Sequence, residues 1–182
     1  LNCFYLCVAF RCAWVANGLP LKEFAKNVCL ITYGDDSILS VKPAYADRFD
    51  HAAIAYGMAS IGLNYTDALK RSPSECAASK TMDQISFLKR KFVYSKDFGT
   101  IVAPLEIDSI LERVCWSSRK GDQRQLMASR CDDSLLDLVL HGREVWDRYG
   151  PDIVKAYESE YSDSLPHNTW ELCLNAVREQ MA

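Results

Sequence analysis

Two β-rich runs joined by four residues constrain this chain more than any other feature. Val28-Cys29-Leu30-Ile31-Thr32 and Ser37-Ile38-Leu39-Ser40-Val41 flank Tyr33-Gly34-Asp35-Asp36. Branched apolar residues on both sides of a glycine- and aspartate-bearing turn predict an antiparallel hairpin. Its tip holds two adjacent carboxylates, and like charges side by side repel unless a cation accompanies them. A hard divalent cation removes the difficulty, since Mg2+ is held by one or two carboxylates plus substrate phosphates. Gly34 gives the backbone a freedom that a side chain would forbid and lets a bulky ligand approach. Adjacent residues on extended backbone point opposite ways, so the two acids need not serve a metal equally. A solvated, aspartate-rich turn is the plainer alternative; the strong apolar flanks weigh against it.

The segments around the hairpin set the fold class. Residues 1–17 read as a helix apolar on most sides, ended by Asn17-Gly18 and Pro20. Residues 21–27 read as a short polar connection. Pro43 opens a helix expected to run to about Ile61 and to close at Gly62. Residues 63–65 look like a short strand, and 66–81 like a loop containing Pro73. Residues 85–94 and 100–103 read as a second antiparallel pair around Asp97-Phe98-Gly99. After Pro104 come four helical patterns, at 106–117, 123–140, 143–161 and 169–181, punctuated by Gly142, Gly150-Pro151 and Pro166. This order predicts an α+β part followed by an all-helical part.

Composition adds three points. The 182 residues are 49% hydrophobic and 25% charged, ordinary for a globular chain and too apolar for a disordered one. The net charge of -3 hides a gradient: residues 1–130 hold 17 Lys and Arg against 13 Asp and Glu, and residues 131–182 hold 4 against 11. A basic body with an acidic helical tail fits a nucleic-acid binder whose contact face lies in the first part; a chance fluctuation of surface charge is the alternative. The eight cysteines contain no Cys-x-x-Cys pair. Cys3, Cys7 and Cys12 are the nearest candidates for a zinc site, but packing as small buried hydrophobes is preferred, which points to a reducing compartment. Residues 1–16 are strongly apolar, yet shorter than the roughly 20 that span a bilayer, and Arg11 interrupts them. The chain opens Leu1-Asn2-Cys3-Phe4-Tyr5 with no initiator Met and reads as a segment entered in mid-helix.

Ile31-Thr32-Tyr33-Gly34-Asp35-Asp36-Ser37-Ile38 closely resembles the catalytic hairpin, motif C, of RNA-dependent RNA polymerases from picorna-like positive-strand RNA viruses. The order of the later motifs strengthens the likeness. Gly62-Leu63-Asn64-Tyr65-Thr66-Asp67-Ala68-Leu69-Lys70 looks like motif D, with its lysine at the right end. Phe87-Leu88-Lys89-Arg90 matches the FLKR of motif E, and Asn2 falls where motif B ends. The helices after Pro104 look like the thumb. The resemblance implies a partial right-hand palm over 1–103 and a helical thumb over 104–182. Fingers, the motif A aspartates and the Ser-Gly-Thr portion of motif B find no match in these residues, so the segment is expected not to polymerise alone.

The same resemblance assigns roles. Asp35 becomes the principal carboxylate ligand of two catalytic Mg2+ ions (Mn2+ being a substitute), with Asp36 as the supporting acid. Lys70 becomes the general acid for the departing pyrophosphate, and Asn2 the residue that reads the ribose 2′-hydroxyl. Gly34, Lys89 and Arg90 face RNA, with Phe87 and Leu88 anchoring the strand. Arg113, Arg119, Lys120 and Arg124, joined by Arg130, form a second basic cluster for the nascent duplex. Trp116, Trp146 and Trp170 are expected to pack between helices. The implied partners are template and nascent RNA, NTPs and other viral replication proteins, with no direct membrane insertion. The implied location is the host cytoplasm, at membrane-associated replication complexes. Two alternatives stay open: a reverse transcriptase palm and thumb, and a non-catalytic RNA- or protein-binding domain derived from a viral polymerase. Gly34 before the acid pair and the FLKR string argue for the RNA polymerase.

Overall fold

Asn17 and Gly18 end helix α1 (Asn2–Ala16) as the sequence predicts: Gly18 takes a φ of 73° and its N–H donates to the Val15 carbonyl. The computed structural model describes residues 1–72, 75, 80–116 and 121–181. They fall into two compact units, Leu1–Phe87 and Leu88–Ala182.

In the first unit, residues 21–27 are helical rather than a connection, forming α2 (Leu21–Asn27). Pro20 leads into it, and the Trp14 indole N–H donates to the Pro20 carbonyl at 3.0 Å, drawing the apolar Phe24 into the core. Strands β1 (Val28–Tyr33) and β2 (Asp36–Val41) pair antiparallel, in register from Val28 opposite Val41 to Tyr33 opposite Asp36. Val28, Leu30 and Thr32 lie on the inner side of β1, while Cys29, Ile31 and Tyr33 are exposed. The single helix expected from Pro43 to Ile61 is two: α3 (Pro43–Ala46) and α4 (His51–Ser60). Asp50 causes the break, because its carboxylate accepts the Ala53 N–H at 2.9 Å and caps a new helix. Residues 63–65 form no strand; the Tyr65 ring packs edge-on to Phe10 instead.

Helices α1 and α4 meet at backbone distance. A Cβ on Gly57 would lie 2.5 Å from the Ala13 Cα. The Asn17 amide donates to the carbonyls of both Ala13 and Ala53, at 2.8 and 2.7 Å, tying the pair together. Around this crossing pack Phe10, Trp14, Phe24, Phe49, Ile54 and Met58. The Trp14 ring meets Phe24 and Phe49 edge-to-face at 5.5 and 5.0 Å, a geometry aromatic quadrupoles favour.

The strand expected over 85–94 is broken. A 3₁₀ turn (Met82–Gln84) and the short β3 (Ser86–Phe87) lead to Leu88 and Lys89, whose φ values of 52° and 60° are left-handed. In the second unit β4 (Arg90–Lys91) comes next, and β5 (Val93–Ser95) pairs with β6 (Thr100–Val102), as expected around Asp97-Phe98-Gly99. The four helices also form: α5 (Ile107–Cys115), α6 (Gln123–Val139), α7 (Arg143–Tyr161) and α8 (Trp170–Met181). Helix α7 runs through Gly150-Pro151, where the sequence predicts punctuation. Trp146, Ile153 and Tyr157 are buried on both sides of Pro151, and their packing outweighs a proline cost of about 3 kcal/mol. Trp146 and Trp170 stack edge-to-face at 6.3 Å. Trp116, by contrast, leaves α5 in extended backbone and is 73% exposed, so it does not pack between helices.

The first compact unit ends at Phe87; in the second, Val102 is buried and Phe98 and Leu105 pack on the core of α5–α8. Among the described residues the cysteines are free and no three His, Cys, Asp or Glu converge as a metal group; Cys131 and Cys173 are buried as expected, whereas Cys3 and Cys7 are half-buried and Cys12 is exposed. Among the described residues no single helix is long and apolar enough to cross a membrane.

Gly57→Ala is expected to destabilise the first unit by about 1–3 kcal/mol, the range for overpacking a filled core. Hydrogen exchange of the α1 and α4 amides reports it; unchanged protection there would refute the close crossing.

Candidate active site

The acidic turn is built by strand pairing. Tyr33 and Asp36 face each other as the last pair, so Gly34 and Asp35 alone make the turn. Gly34 sits at a φ of 63°, a conformation that costs L residues about 1–2 kcal/mol. Asp35 therefore stands on the turn itself and Asp36 on the first residue of β2. Both are exposed, and among the described residues neither carboxylate has a hydrogen-bond or ion-pair partner. Two unpaired carboxylates side by side offer hard oxygen donors suited to a divalent cation. Among the described residues no third ligand joins them.

The first turn of α1 touches this hairpin. The Gly34 N–H donates to the Cys3 sulfur at 3.2 Å, and the Thr32 hydroxyl donates to the Cys3 carbonyl at 3.5 Å. The Cys7 sulfur lies 3.7 Å from the same hydroxyl. Asn2, immediately before Cys3, is exposed at the same end of α1.

Lys70 lies in the same unit on a tight loop. Its φ is 56°, and its N–H donates to the Asp67 carbonyl at 2.9 Å. The Asp67 carboxylate is nearly buried and folds the loop around Lys70. It accepts the N–H groups of Leu69 and Arg71 at 3.0 and 2.8 Å. It also takes a forked contact from the Arg71 guanidinium at 2.8 and 2.6 Å. The Arg71 N–H, then its guanidinium, hold the Asp67 carboxyl down to about 2. The lysine amine stays exposed.

Lys89 and Arg90 belong to the second unit. The Lys89 ammonium donates to the Ser109 hydroxyl at 3.1 Å, and its carbonyl accepts the Glu106 N–H. These contacts hold two residues in left-handed backbone that carry no glycine. Arg90 donates to the Ala103 carbonyl at 2.9 Å and to Asp137 at 3.0 Å. Arg113 reaches the other oxygen of Asp137 at 2.7 Å. Arg124 pairs with Asp163 at 2.6 Å, which raises the guanidinium and lowers the carboxyl. Arg130 donates to the Arg113 carbonyl at 3.5 Å. Arg119 and Lys120 lie outside the described residues. Arg90, Arg113 and Arg124 thus each hold a carboxylate partner.

Sequence reasoning gives no structural role to the contacts of Cys3 with the hairpin, of Asp67 with Arg71, or of Asp137. The four-residue spacing of Asp67 and Arg71 is a visible cue, since such a pair suits a single helical-type turn. Nothing local marks Cys3 or Asp137.

A family model described as viral RNA-dependent RNA polymerase matches residues 2–159. The replicase polyprotein of Acute bee paralysis virus (strain Rothamsted) is 29% identical over 181 residues, covering 93% of this chain and 10% of the relative. That of Drosophila C virus (strain EB) is 32% identical over 155 residues, covering 81% and 9%. The chain thus spans a tenth or less of these relatives. Among solved structures, a Sicinivirus 3Dpol RNA dependent RNA polymerase matches with a TM-score of 0.57 at 19% identity, over 85% of this chain and 31% of that one. The likeness establishes the shared fold of hairpins followed by helices.

The low carboxyl of Asp67 gives a pH dependence. The ionised form is favoured in the folded loop, so the stabilisation is complete above the ordinary value of 3.8 and is lost as pH falls toward about 2. Amide protection of Leu69 and Arg71 is expected to hold at pH 5 and to vanish between pH 4 and 2. Protection that persists in Asp67→Asn would refute the clamp.

Proposed function

This chain belongs to the viral RNA-dependent RNA polymerase family, and we propose that it supplies the later palm and the thumb of a template-directed RNA polymerase. Polymerases of this family use divalent metals. The unpaired Asp35 and Asp36 on a two-residue turn carry the reading. Asp35 would hold two Mg2+ ions, with Asp36 in support. When bound, such ions neutralise charge developing on the transferred phosphoryl group and orient the 3′-hydroxyl and the leaving pyrophosphate.

The chain's own residues do the rest. Gly34 leaves the turn without a Cβ where nucleotide and primer end approach. The Asn2 amide can donate to or accept from a 2′-hydroxyl, which separates ribose from deoxyribose. Lys70, presented by the Asp67 loop, stands as the proton donor to the pyrophosphate, and its charge favours that leaving group even before the proton moves. Lys89 is the better candidate for a phosphate contact than Arg90, whose guanidinium is spent on Asp137. Such contacts position a strand without reading its sequence.

Template and nascent RNA, NTPs and other viral replication proteins are the partners proposed for the whole polymerase. Its proposed place is the host cytoplasm at membrane-associated complexes. The family match favours the RNA polymerase over the reverse transcriptase, and use of NTPs rather than dNTPs tests that choice. With no third ligand beside Asp35 and Asp36 among the described residues, the 182-residue segment alone is expected to show no primer extension; robust extension would sink the assignment of an incomplete metal site.

In the complete enzyme, Asp35→Ala is expected to abolish nucleotide addition while RNA binding persists. Turnover near the parental rate would make the metal assignment wrong. Lys70→Ala should slow single-turnover addition by about 10²-fold, the scale of lost acid catalysis; an unchanged rate would return Lys70 to an ordinary surface lysine.

A further inference from the structure

We infer that Cys3 is a positioning residue that ties the acidic turn to the helix end carrying Asn2, so that ribose reading and metal holding move as one unit. The inference rests on the roles proposed above for Asp35 and Asn2.

Three contacts make the tie, and all run between the first two turns of α1 and the last residues before Asp35. The Cys3 sulfur accepts the Gly34 N–H, the Cys3 carbonyl accepts the Thr32 hydroxyl, and the Cys7 sulfur sits against that hydroxyl. Gly34 is the residue whose left-handed backbone sets the direction of Asp35. An acceptor fixed to a helix therefore holds the one peptide unit on which the acid's placement turns. The helix itself is anchored far from the turn, where Phe10, Ala13 and Trp14 are fully buried. Asn2 is bonded to Cys3, so any shift that takes the turn off Cys3 changes the distance between the amide and the acids. Sugar identity and metal placement are read through one sulfur.

Other features of the chain carry less. The groove between α2 and the base of the hairpin has Arg11, Lys26 and Lys42 on its walls, but Arg11 already stacks on Phe24 and donates to the Cys7 carbonyl. The exposed apolar residues of α1 and β1 show nothing of what covers them.

The test uses the complete polymerase. Cys3→Val removes the acceptor and keeps an apolar side chain there, and Cys3→Ser retains an acceptor. Single-nucleotide addition is measured with an NTP and its 2′-deoxy counterpart across a Mg2+ titration. Cys3→Val is expected to lower kcat for the NTP by about 3–10-fold, the worth of one hydrogen bond. It should also weaken Mn2+ binding to the resting enzyme, read by electron paramagnetic resonance without turnover, and narrow the NTP-to-dNTP ratio by a similar factor. Cys3→Ser should restore most of all three. Equal losses for both sugars with unchanged Mn2+ binding would overturn the tie, because a packing role lowers only the amount of active enzyme. If Cys3→Val does not fold, Cys3→Ala against Cys3→Ser gives the same comparison. Asp35→Ala is assayed alongside. Activity there would sink the proposed function itself, whereas an inactive Asp35→Ala with an unaltered Cys3→Val would overturn only the tie.

Discussion

Helix α1 can lie on α4 backbone to backbone only because Gly57 has no side chain opposite Ala13. That contact lets Phe10 and Trp14 reach Phe24, Phe49 and Met58, and it fixes α1 as the platform on which the inner side of β1 rests. The acidic turn stands at one end of this platform, beside Cys3. A platform made of close-packed aromatic rings does not yield easily, since interiors of this density transmit strain rather than absorb it. The placement of the acidic turn therefore depends on a core well removed from it.

The acids of the chain divide by what they face. Asp67, Asp137 and Asp163 are saturated by arginines, and Asp50 and Asp122 by helix-start amides. Each of these carboxylates serves the fold. Asp35 and Asp36 have no such partner among the described residues, although they are neighbours whose charges repel. A turn that concentrates negative charge and spends none of it internally is what the proposed metal role requires. The nearly buried Asp67 and the largely buried Asp137 are paired because the desolvation of a carboxylate must be offset by donors. Exposure at the turn lifts that demand.

The hairpin was legible because its apolar runs, its glycine and its acids agreed at every level, and the four later helices were legible from period and punctuation. The rest failed for identifiable reasons. The helix over 43–61 split at Asp50 because a capping carboxylate overrides continuous helical spacing. The strand over 85–94 broke at Leu88 and Lys89, residues without turn chemistry, because Ser109, Glu106 and the pairing of Arg90 with Asp137 hold the backbone there. Helix α7 passed through Pro151 because Trp146 and Tyr157 pack across it. At the site, Asp35, Asp36, Lys70 and Asn2 could be named from the resemblance, whereas Cys3 and the Asp67 clamp could not. Their contacts exist only once residues 31 positions apart, or a nearly buried carboxylate and the loop it gathers, are placed in space.

The central claim is that the Gly34–Asp35 turn is the metal-holding element of a polymerase. Anomalous scattering from crystals of the complete enzyme soaked with Mn2+ and a non-hydrolysable NTP tests it most directly. Anomalous density is predicted at metal–oxygen bonding distance from the Asp35 carboxylate, shared with the nucleotide phosphates. Density held wholly by other residues, with Asp35 out of bonding range, would contradict it.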